Sequence, residues 1–106
     1  GVLATQNGMT GIAKAWANFN GTTGAVRASF NVGSVTRNST GNYTVNFTTA
    51  MANADYSAQM TSADSTANVF MPKTPTYSTG SWQFSIINNA GAATDATFIN
   101  VSVFSS

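Results

Sequence analysis

The sequence contains no cysteine, no histidine and no glutamate, and its only leucine is Leu3. Without cysteine the chain cannot form disulfides, thiolate nucleophiles or cysteine-ligated zinc sites. Without histidine it lacks the base of the common serine and cysteine triads and the commonest metal ligand. Nucleophilic triads and zinc or iron centres are therefore excluded for this stretch of chain.

Charge is also scarce, because charged residues make up 7% of the 106 residues and the formal net charge is +1. The basic residues Lys14, Arg27, Arg37 and Lys73 are scattered along the chain. They form no stripe that could neutralise a phosphate backbone, so nucleic-acid binding is not expected. No apolar run approaches the length of a transmembrane helix, so membrane insertion is not expected either.

The only carboxylates are Asp55, Asp64 and Asp95. A two-carboxylate glycosidase site could in principle use any pair of them. However, their positions in loops or at a strand start give no reason for a raised pKa. A calcium site could combine Asp64 with Asn68, but no loop spacing supports it. We therefore expect no enzyme activity, no metal and no cofactor.

Threonine, serine, asparagine, glycine, valine and phenylalanine fill the chain instead. β-Branched and aromatic residues favour strands, and the many turn formers favour short strands, so the sequence predicts an all-β fold. Hydroxyls and amides, rather than charges, make the surface polar. Such a surface suits contact with carbohydrate or with another copy of the chain. The alternative is a β domain that merely carries little charge.

Apolar residues alternate with polar ones over residues 25–60, which places one side-chain set on one face of each strand. A cluster of turn formers at residues 38–42 separates the first two runs. The stretch therefore predicts an antiparallel meander. The three runs are Val26, Ala28, Phe30 and Val32; then Tyr43, Val45 and Phe47; then Tyr56, Ala58 and Met60.

Further strands are predicted at residues 12–19, 67–71, 81–87 and 97–104. Together these segments predict a small antiparallel β-sandwich of about seven or eight strands that spans residues 12–106. Residues 1–11 show little pattern and, without an initiator methionine, are interpreted as a linker or arm from an upstream region.

Several local features refine this prediction. Gly33 interrupts the alternation and indicates a bulge or bend. Arg27 could pair with Asp55 across strands. Residues 72–80 contain two prolines and are predicted to form an irregular loop. Trp82 alternates with apolar neighbours and is predicted to lie in the core.

Three segments, AKAWANF, RASFNV and NYTVNFTTAM, carry a resemblance to a known family. With the closing VSVFSS they resemble domains at the C-terminal end of bacteriophage tail-fibre and related virion proteins. The resemblance implies a homotrimeric fibre tip, outside the cell when acting, that contacts a bacterial surface glycan or outer-membrane protein. Variants of this pattern often have aspartate where Asn20 and Arg37 stand, and no catalytic residue carries over.

Two groups of residues are candidates for these contacts. The first is a receptor patch on the proline-containing loop, with Tyr77 as an aromatic platform, although Tyr77 could instead pack on the domain. The second is a trimer interface formed by residues of the first and last strands, although Trp16 could instead be an ordinary aromatic at the edge of the core. The receptor patch comprises Lys73, Thr76, Tyr77 and Thr79, and the trimer interface comprises Ala15, Trp16, Phe98 and Phe104.

Two other functions remain open at this point. The domain could be a structural trimerisation or folding cap that ends a fibre and binds nothing. It could also be a monomeric, immunoglobulin-like decoration module of a virion.

Overall fold

Strands form all the regular secondary structure in the computed structural model, which describes residues 12–64 and 71–105. No helix occurs in this part of the chain, which confirms the all-β prediction. The predicted linker at 1–11 and most of the predicted strand at 67–71 lie outside the described residues. The eight strands are β1 (Ala13–Phe19), β2 (Val26–Phe30), β3 (Val32–Ser39), β4 (Asn42–Phe47), β5 (Ser57–Ala63), β6 (Met71–Tyr77), β7 (Ser81–Ile87) and β8 (Phe98–Phe104).

The strands form two four-stranded antiparallel sheets. The first sheet has the order β2-β1-β8-β5, and the second has the order β3-β4-β7-β6. The chain passes between the sheets after β2, after β4, after β5 and after β7. Consecutive strands β1–β2, β3–β4 and β6–β7 pair as hairpins within one sheet.

One buried cluster receives side chains from both sheets. The Phe19 ring of the first sheet meets the Tyr43 ring of the second edge to face, with centroids 5.4 Å apart. Trp82 is 3% exposed, as predicted, and its ring stacks on Phe84. Each large apolar side chain buried in this way contributes about 1.5–3 kcal/mol of transfer free energy. The cluster includes Ala15, Ala17, Phe19, Val32, Tyr43, Val45, Trp82, Phe84, Ile86, Ile99, Val101 and Val103.

The predicted continuous strand over residues 26–32 is wrong, because Asn31 divides it. Asn31 has a φ of 55°, a left-handed conformation that asparagine tolerates better than most residues. Its Nδ2 donates to the carbonyl oxygens of Lys14 and Thr49, both at 3.0 Å, and its Oδ1 accepts from the Thr49 backbone N–H at 2.7 Å. These bonds fix the point where the chain leaves the first sheet for the second.

Gly33 marks a bulge, as predicted, since the β3–β4 register shifts between Val32 and Ser34.

The predicted irregular loop at 72–80 is wrong over most of its length, because β6 occupies Met71–Tyr77. Among the described strands, β6 pairs only with β7 and is therefore an edge strand of the second sheet. An edge strand tolerates proline, because the missing N–H can face away from the ladder. The register shifts between Lys73 and Thr76, around Pro75.

We name the two ends of the molecule the Asp95 end and the Asn31 end, after residues that lie there. At the Asp95 end, the Gly21 N–H donates to the Ala96 carbonyl at 2.8 Å, which joins the β1–β2 turn to the segment before β8. At the opposite end, the Asn31 end, the Met51 N–H donates to the Thr79 carbonyl at 2.8 Å. This second bond joins the segment after β4 to the β6–β7 turn.

Candidate functional site

The structure does not bring the predicted receptor patch together on one surface. Tyr77 lies opposite Trp82 in the β6–β7 ladder and so shares its inward face. The Tyr77 ring is 5.1 Å from the Tyr56 ring and 6.0 Å from the Trp82 ring, yet 39% of Tyr77 stays exposed. Lys73 and Thr76 lie opposite Ser85 and Gln83, on the other face of the same sheet.

Thr79 lies in the exposed β6–β7 turn, and backbone contacts hold that turn in place. The Tyr56 hydroxyl lies 2.9 Å from the carbonyl oxygens of both Ser78 and Ser81. Burial raises the pKa of Tyr56, so its phenol stays a donor to these carbonyls at neutral pH. The Tyr77 ring therefore completes the packing at this turn as well as offering an exposed edge.

Of the residues predicted for a trimer interface, Ala15 cannot take part. It is 1% exposed and belongs to the core of this chain, because the alanine face of β1 points inward. Trp16, Phe98 and Phe104 point the opposite way and are 41%, 47% and 37% exposed. Of the four exposed aromatic side chains among the described residues, three therefore lie on the outer side of the first sheet, and the fourth is Tyr77.

We call this outer side the aromatic–amide face. Its side chains alternate with the core positions of each strand, and the strand registers align them in rows across the sheet. It consists of Trp16 and Asn18 on β1, Ala28 and Phe30 on β2, Ser57, Gln59, Thr61 and Ala63 on β5, and Phe98, Asn100, Ser102 and Phe104 on β8.

The outward side chains of β8 form a row along the aromatic–amide face. Outward residues along a strand are two positions apart, which separates them by about 7 Å. Along β8 the order is Phe98, Asn100, Ser102, Phe104, so two aromatic rings enclose two polar groups. Trp16 lies beside Ser102 in the neighbouring strand.

Arg27 lies at one border of this face and does not pair with Asp55, which corrects that prediction. Its guanidinium lies 4.3 Å from the centre of the Phe98 ring. Two of its N–H groups donate to Asn18 Oδ1 at 3.0 Å and to the Thr97 carbonyl at 2.7 Å. Asp55 precedes β5 at the Asn31 end, whereas Arg27 and Phe98 lie towards the Asp95 end.

The described surface has cavities on this face and at the Asn31 end. One, of about 100 Å³, lies between β5 and β8 near the middle of the aromatic–amide face and is lined by Gln59, Met60, Thr61, Asn100, Val101 and Ser102. The other, of about 250 Å³, lies at the Asn31 end, and its lining includes Lys14, Asn31 and Met51. Lys14 is 6% exposed there.

Asp95 has the most connected side chain at the opposite end. Its Oδ1 accepts from the Gly41 N–H at 2.8 Å and from the Tyr43 hydroxyl at 2.7 Å. Its Oδ2 accepts from Arg37 at 2.7 Å in an ion pair. Burial works against ionisation of Asp95, but the hydrogen bonds from Arg37, Gly41 and Tyr43 outweigh it and hold the pKa of Asp95 below its usual value.

Tyr43 is the fully buried member of this network. Burial raises the pKa of its phenol, and the hydrogen bond to Asp95 and the charge of Asp95 raise it further. An ionised carboxylate held by a guanidinium and a phenol that keeps its proton is an arrangement suited to joining three segments, not to proton transfer.

The other carboxylates show no catalytic arrangement. Asp64 Oδ2 accepts from the Thr97 backbone N–H at 3.2 Å, and Asp55 is exposed. Within residues 12–64 and 71–105, no group of three or more acidic, histidine or cysteine side chains could hold a metal ion. The described part of the chain also has no helix long and apolar enough to cross a membrane.

Sequence reasoning singled out Trp16, Phe98 and Phe104, but it assigned Phe30 to a core-facing run and missed the polar centre of the face. The outward positions of β8 were recognised from alternation, with Phe98 and Phe104 opposite the core residues. Asn100 and Ser102 occupy the same register and could have been assigned by the same rule. Gln59 could not be assigned to this face from the sequence, because the sequence does not show that β5 pairs with β8.

No family model, curated protein or solved structure matches this chain.

Proposed function

We propose that this chain is a non-enzymatic receptor-binding domain at the tip of a phage tail fibre. It acts outside the cell as part of the virion, assembles as a homotrimer, and attaches the particle to a bacterial surface glycan or protein. The motif set AKAWANF, RASFNV and NYTVNFTTAM is the basis for the phage assignment.

The aromatic–amide face is the observation that supports a recognition role. Trp16, Phe98 and Phe104 keep about two fifths of their surface exposed on one side of one sheet. Exposed aromatic surface on a soluble domain marks an interaction site more often than a passive surface. The surrounding groups are amides and hydroxyls that can both donate and accept hydrogen bonds.

The proposed architecture is a β-sandwich in a trimeric knob. Both sheets contribute to one buried cluster, as the Phe19–Tyr43 contact illustrates, and this supports face-to-face packing of the sheets. A small domain without disulfides gains stability from assembly, which favours the trimer.

A structural cap is the second candidate, and the exposure of Phe98 and Phe104 is the observation that favours it. Contacts between copies through these rings would end a fibre without binding a receptor. In a monomeric decoration module the same rings would stay open to solvent.

Adsorption of the fluorescently labelled domain to bacterial cells tests the proposed function. We expect saturable adsorption to host cells at roughly micromolar domain, and none to non-host cells. The solution mass, measured by light scattering, should be that of a trimer. Absence of adsorption to the host would contradict the receptor role, and a trimer in that case would favour the cap.

A further inference from the structure

We infer that the aromatic–amide face binds a linear, uncharged glycan chain that lies along β8. This inference rests on the proposed function and adds the ligand class and the binding surface. It differs from the sequence-based prediction, which assigned Trp16, Phe98 and Phe104 to contacts between copies.

The spacing along β8 supports a chain-like ligand. Phe98 and Phe104 are six residues apart, so their rings are separated by about 20 Å along the strand. Asn100 and Ser102 lie between them on the same face. A sugar chain presents C–H faces that can stack on aromatic rings and hydroxyls that can bond to amides. A ligand of several sugar units could use both rings and the polar groups between them.

The polar centre argues against a second copy of this chain as the occupant. Protein–protein interfaces place aromatic residues in a desolvated centre and polar residues at the rim. Here the order is reversed: Asn18, Asn100 and Thr61 form a row across the middle, and aromatic rings lie on both sides. Burial of those amides against protein would cost free energy for each unpaired group, whereas a glycan supplies hydroxyl partners.

The charge of the face favours a neutral glycan. None of the residues that make up the aromatic–amide face is charged. Arg27 lies at its border, where two of its N–H groups already donate within the domain and its guanidinium lies 4.3 Å from the centre of the Phe98 ring. The face itself therefore offers no cation to an acidic sugar.

The 100 Å³ depression offers a place for a sugar substituent. Its lining combines apolar surface with the polar residues Gln59, Thr61, Asn100 and Ser102 of two adjacent strands. Ser102 Oγ lies 3.5 Å from Gln59 Oε1 across those strands. The volume is a few times that of a water molecule, so it admits a hydroxymethyl or acetamido substituent of one sugar unit.

Trp16 allows a direct test by fluorescence. Of the two tryptophans, Trp16 is 41% exposed on the face and Trp82 is buried in the core, so a Trp82→Phe background isolates the Trp16 signal. The probes are maltohexaose, cellohexaose and chitohexaose at up to millimolar concentration, with colominic acid as the acidic comparison. We expect at least one neutral hexasaccharide to change Trp16 emission saturably.

Variants on the face and away from it locate the binding. Asn100→Ala in the same background should weaken the affinity at least about tenfold, because it removes a central hydrogen-bonding group. Thr36→Ala, an exposed change on β3 of the second sheet, should leave the affinity unchanged. Titration calorimetry extends the comparison to Trp16→Ala and Trp16→Phe, of which only the second retains a ring. Thermal unfolding of each variant identifies any loss caused by misfolding.

Four results would overturn the inference. The first is no emission change with any neutral hexasaccharide, and the second is binding of colominic acid alone. The third is an unchanged affinity in Asn100→Ala. The fourth is a smaller assembly of Trp16→Ala in light scattering, because this face would then be a contact between copies of the chain. If host cells adsorb the Trp16→Ala and Asn100→Ala variants to the same extent as the parent protein, the assignment of glycan binding to this face is wrong while the receptor function stands. If cells adsorb none of these proteins, the receptor function itself fails.

Discussion

Replacement of Asp95 by alanine removes the acceptor that joins three segments at one end of the molecule. Gly41 of the β3–β4 turn, Tyr43 of β4 and Arg37 of β3 all donate to this carboxylate. Gly41 and Tyr43 donate to Oδ1 alone, whereas Arg37 donates from Nη2 to Oδ2 at 2.7 Å and from Nε to Oδ2 and Oδ1 at 3.2 and 3.3 Å. A variant that keeps an acceptor oxygen but no charge therefore tests how much the two neutral donors contribute.

The expected loss of stability follows from the unpaired donors. In Asp95→Ala, the hydroxyl of fully buried Tyr43 and the Gly41 N–H lose their partner. A buried donor without a partner costs about 1–3 kcal/mol, so the two together predict a loss of about 4 kcal/mol. For a domain of this size that loss lowers the unfolding temperature by about 20 °C.

Asp95→Asn provides the matched comparison. Its side-chain oxygen can still accept from Gly41 and Tyr43, although both bonds lose the assistance of a charge. The lost pairing with Arg37 matters less, since water screens a pair whose guanidinium is partly exposed. We therefore expect a loss of about 1 kcal/mol from the two weakened bonds.

Urea unfolding at neutral pH, followed by tryptophan fluorescence and circular dichroism, measures both variants. Asp55→Ala removes one negative charge at an exposed position and should leave the unfolding free energy nearly unchanged. Equal losses for Asp95→Ala and Asp95→Asn would refute the reasoning, because charge and not the Oδ1 acceptor would then be responsible. A loss below about 1 kcal/mol in Asp95→Ala would refute it as well.

Three further outcomes are expected. The pKa of Asp95 is lowered in the folded protein, so the unfolded chain binds more protons below about pH 4. The unfolding free energy should therefore fall as the pH drops through that range. In acid titrations, Asp95→Asn should make this fall in unfolding free energy less steep. Gly41→Ala should lower the unfolding free energy by more than about 2 kcal/mol. The reason is that φ of Gly41 is 69° and an added Cβ would lie 2.6 Å from the Thr94 carbonyl oxygen. In the same urea assay Gly80→Ala should be tolerated, because the space around an added Cβ at Gly80 is open. Trp82→Phe should change the unfolding free energy by less than about 1 kcal/mol. Trp82 Nε1 is buried without a hydrogen-bond partner among the described residues, so its loss removes no hydrogen bond, and phenylalanine keeps a ring against Phe84. Equal melting curves of the parent and the variant would agree with this prediction.

The period-two alternation predicted the core positions of β4, β7 and β8, because each strand has one inward face, but it wrongly assigned Val26, Ala28 and Phe30 to the core. Val101 and Val103 on β8 and Phe84 and Ile86 on β7 follow that rule. The same rule failed at Asn31, since alternation continues through a point where the chain changes sheets. The information that was missing is the backbone conformation of one residue and its bonds to Lys14 and Thr49.

Residues 72–80 show a different limit of sequence reasoning. Two prolines normally argue against a strand, but they are acceptable at the edge of a sheet, and sequence alone does not say which strands are edges. The candidate site depends on the same kind of information. Exposed aromatics on β8 were predictable, whereas the amide row across the first sheet depends on which strands are neighbours.

The antiparallel pairing of β1 with β8 has a consequence for how a ligand can approach the domain. Ala13 lies opposite Phe104, so β1 begins and β8 ends at the Asn31 end of the molecule. The β6–β7 turn that carries Thr79 lies at this same end, whereas the tight turn at Gly41 lies at the Asp95 end. The aromatic–amide face runs along the side of the sheet between the two ends. If the proposed glycan binds there, it approaches the domain from the flank, which favours long surface polymers as ligands.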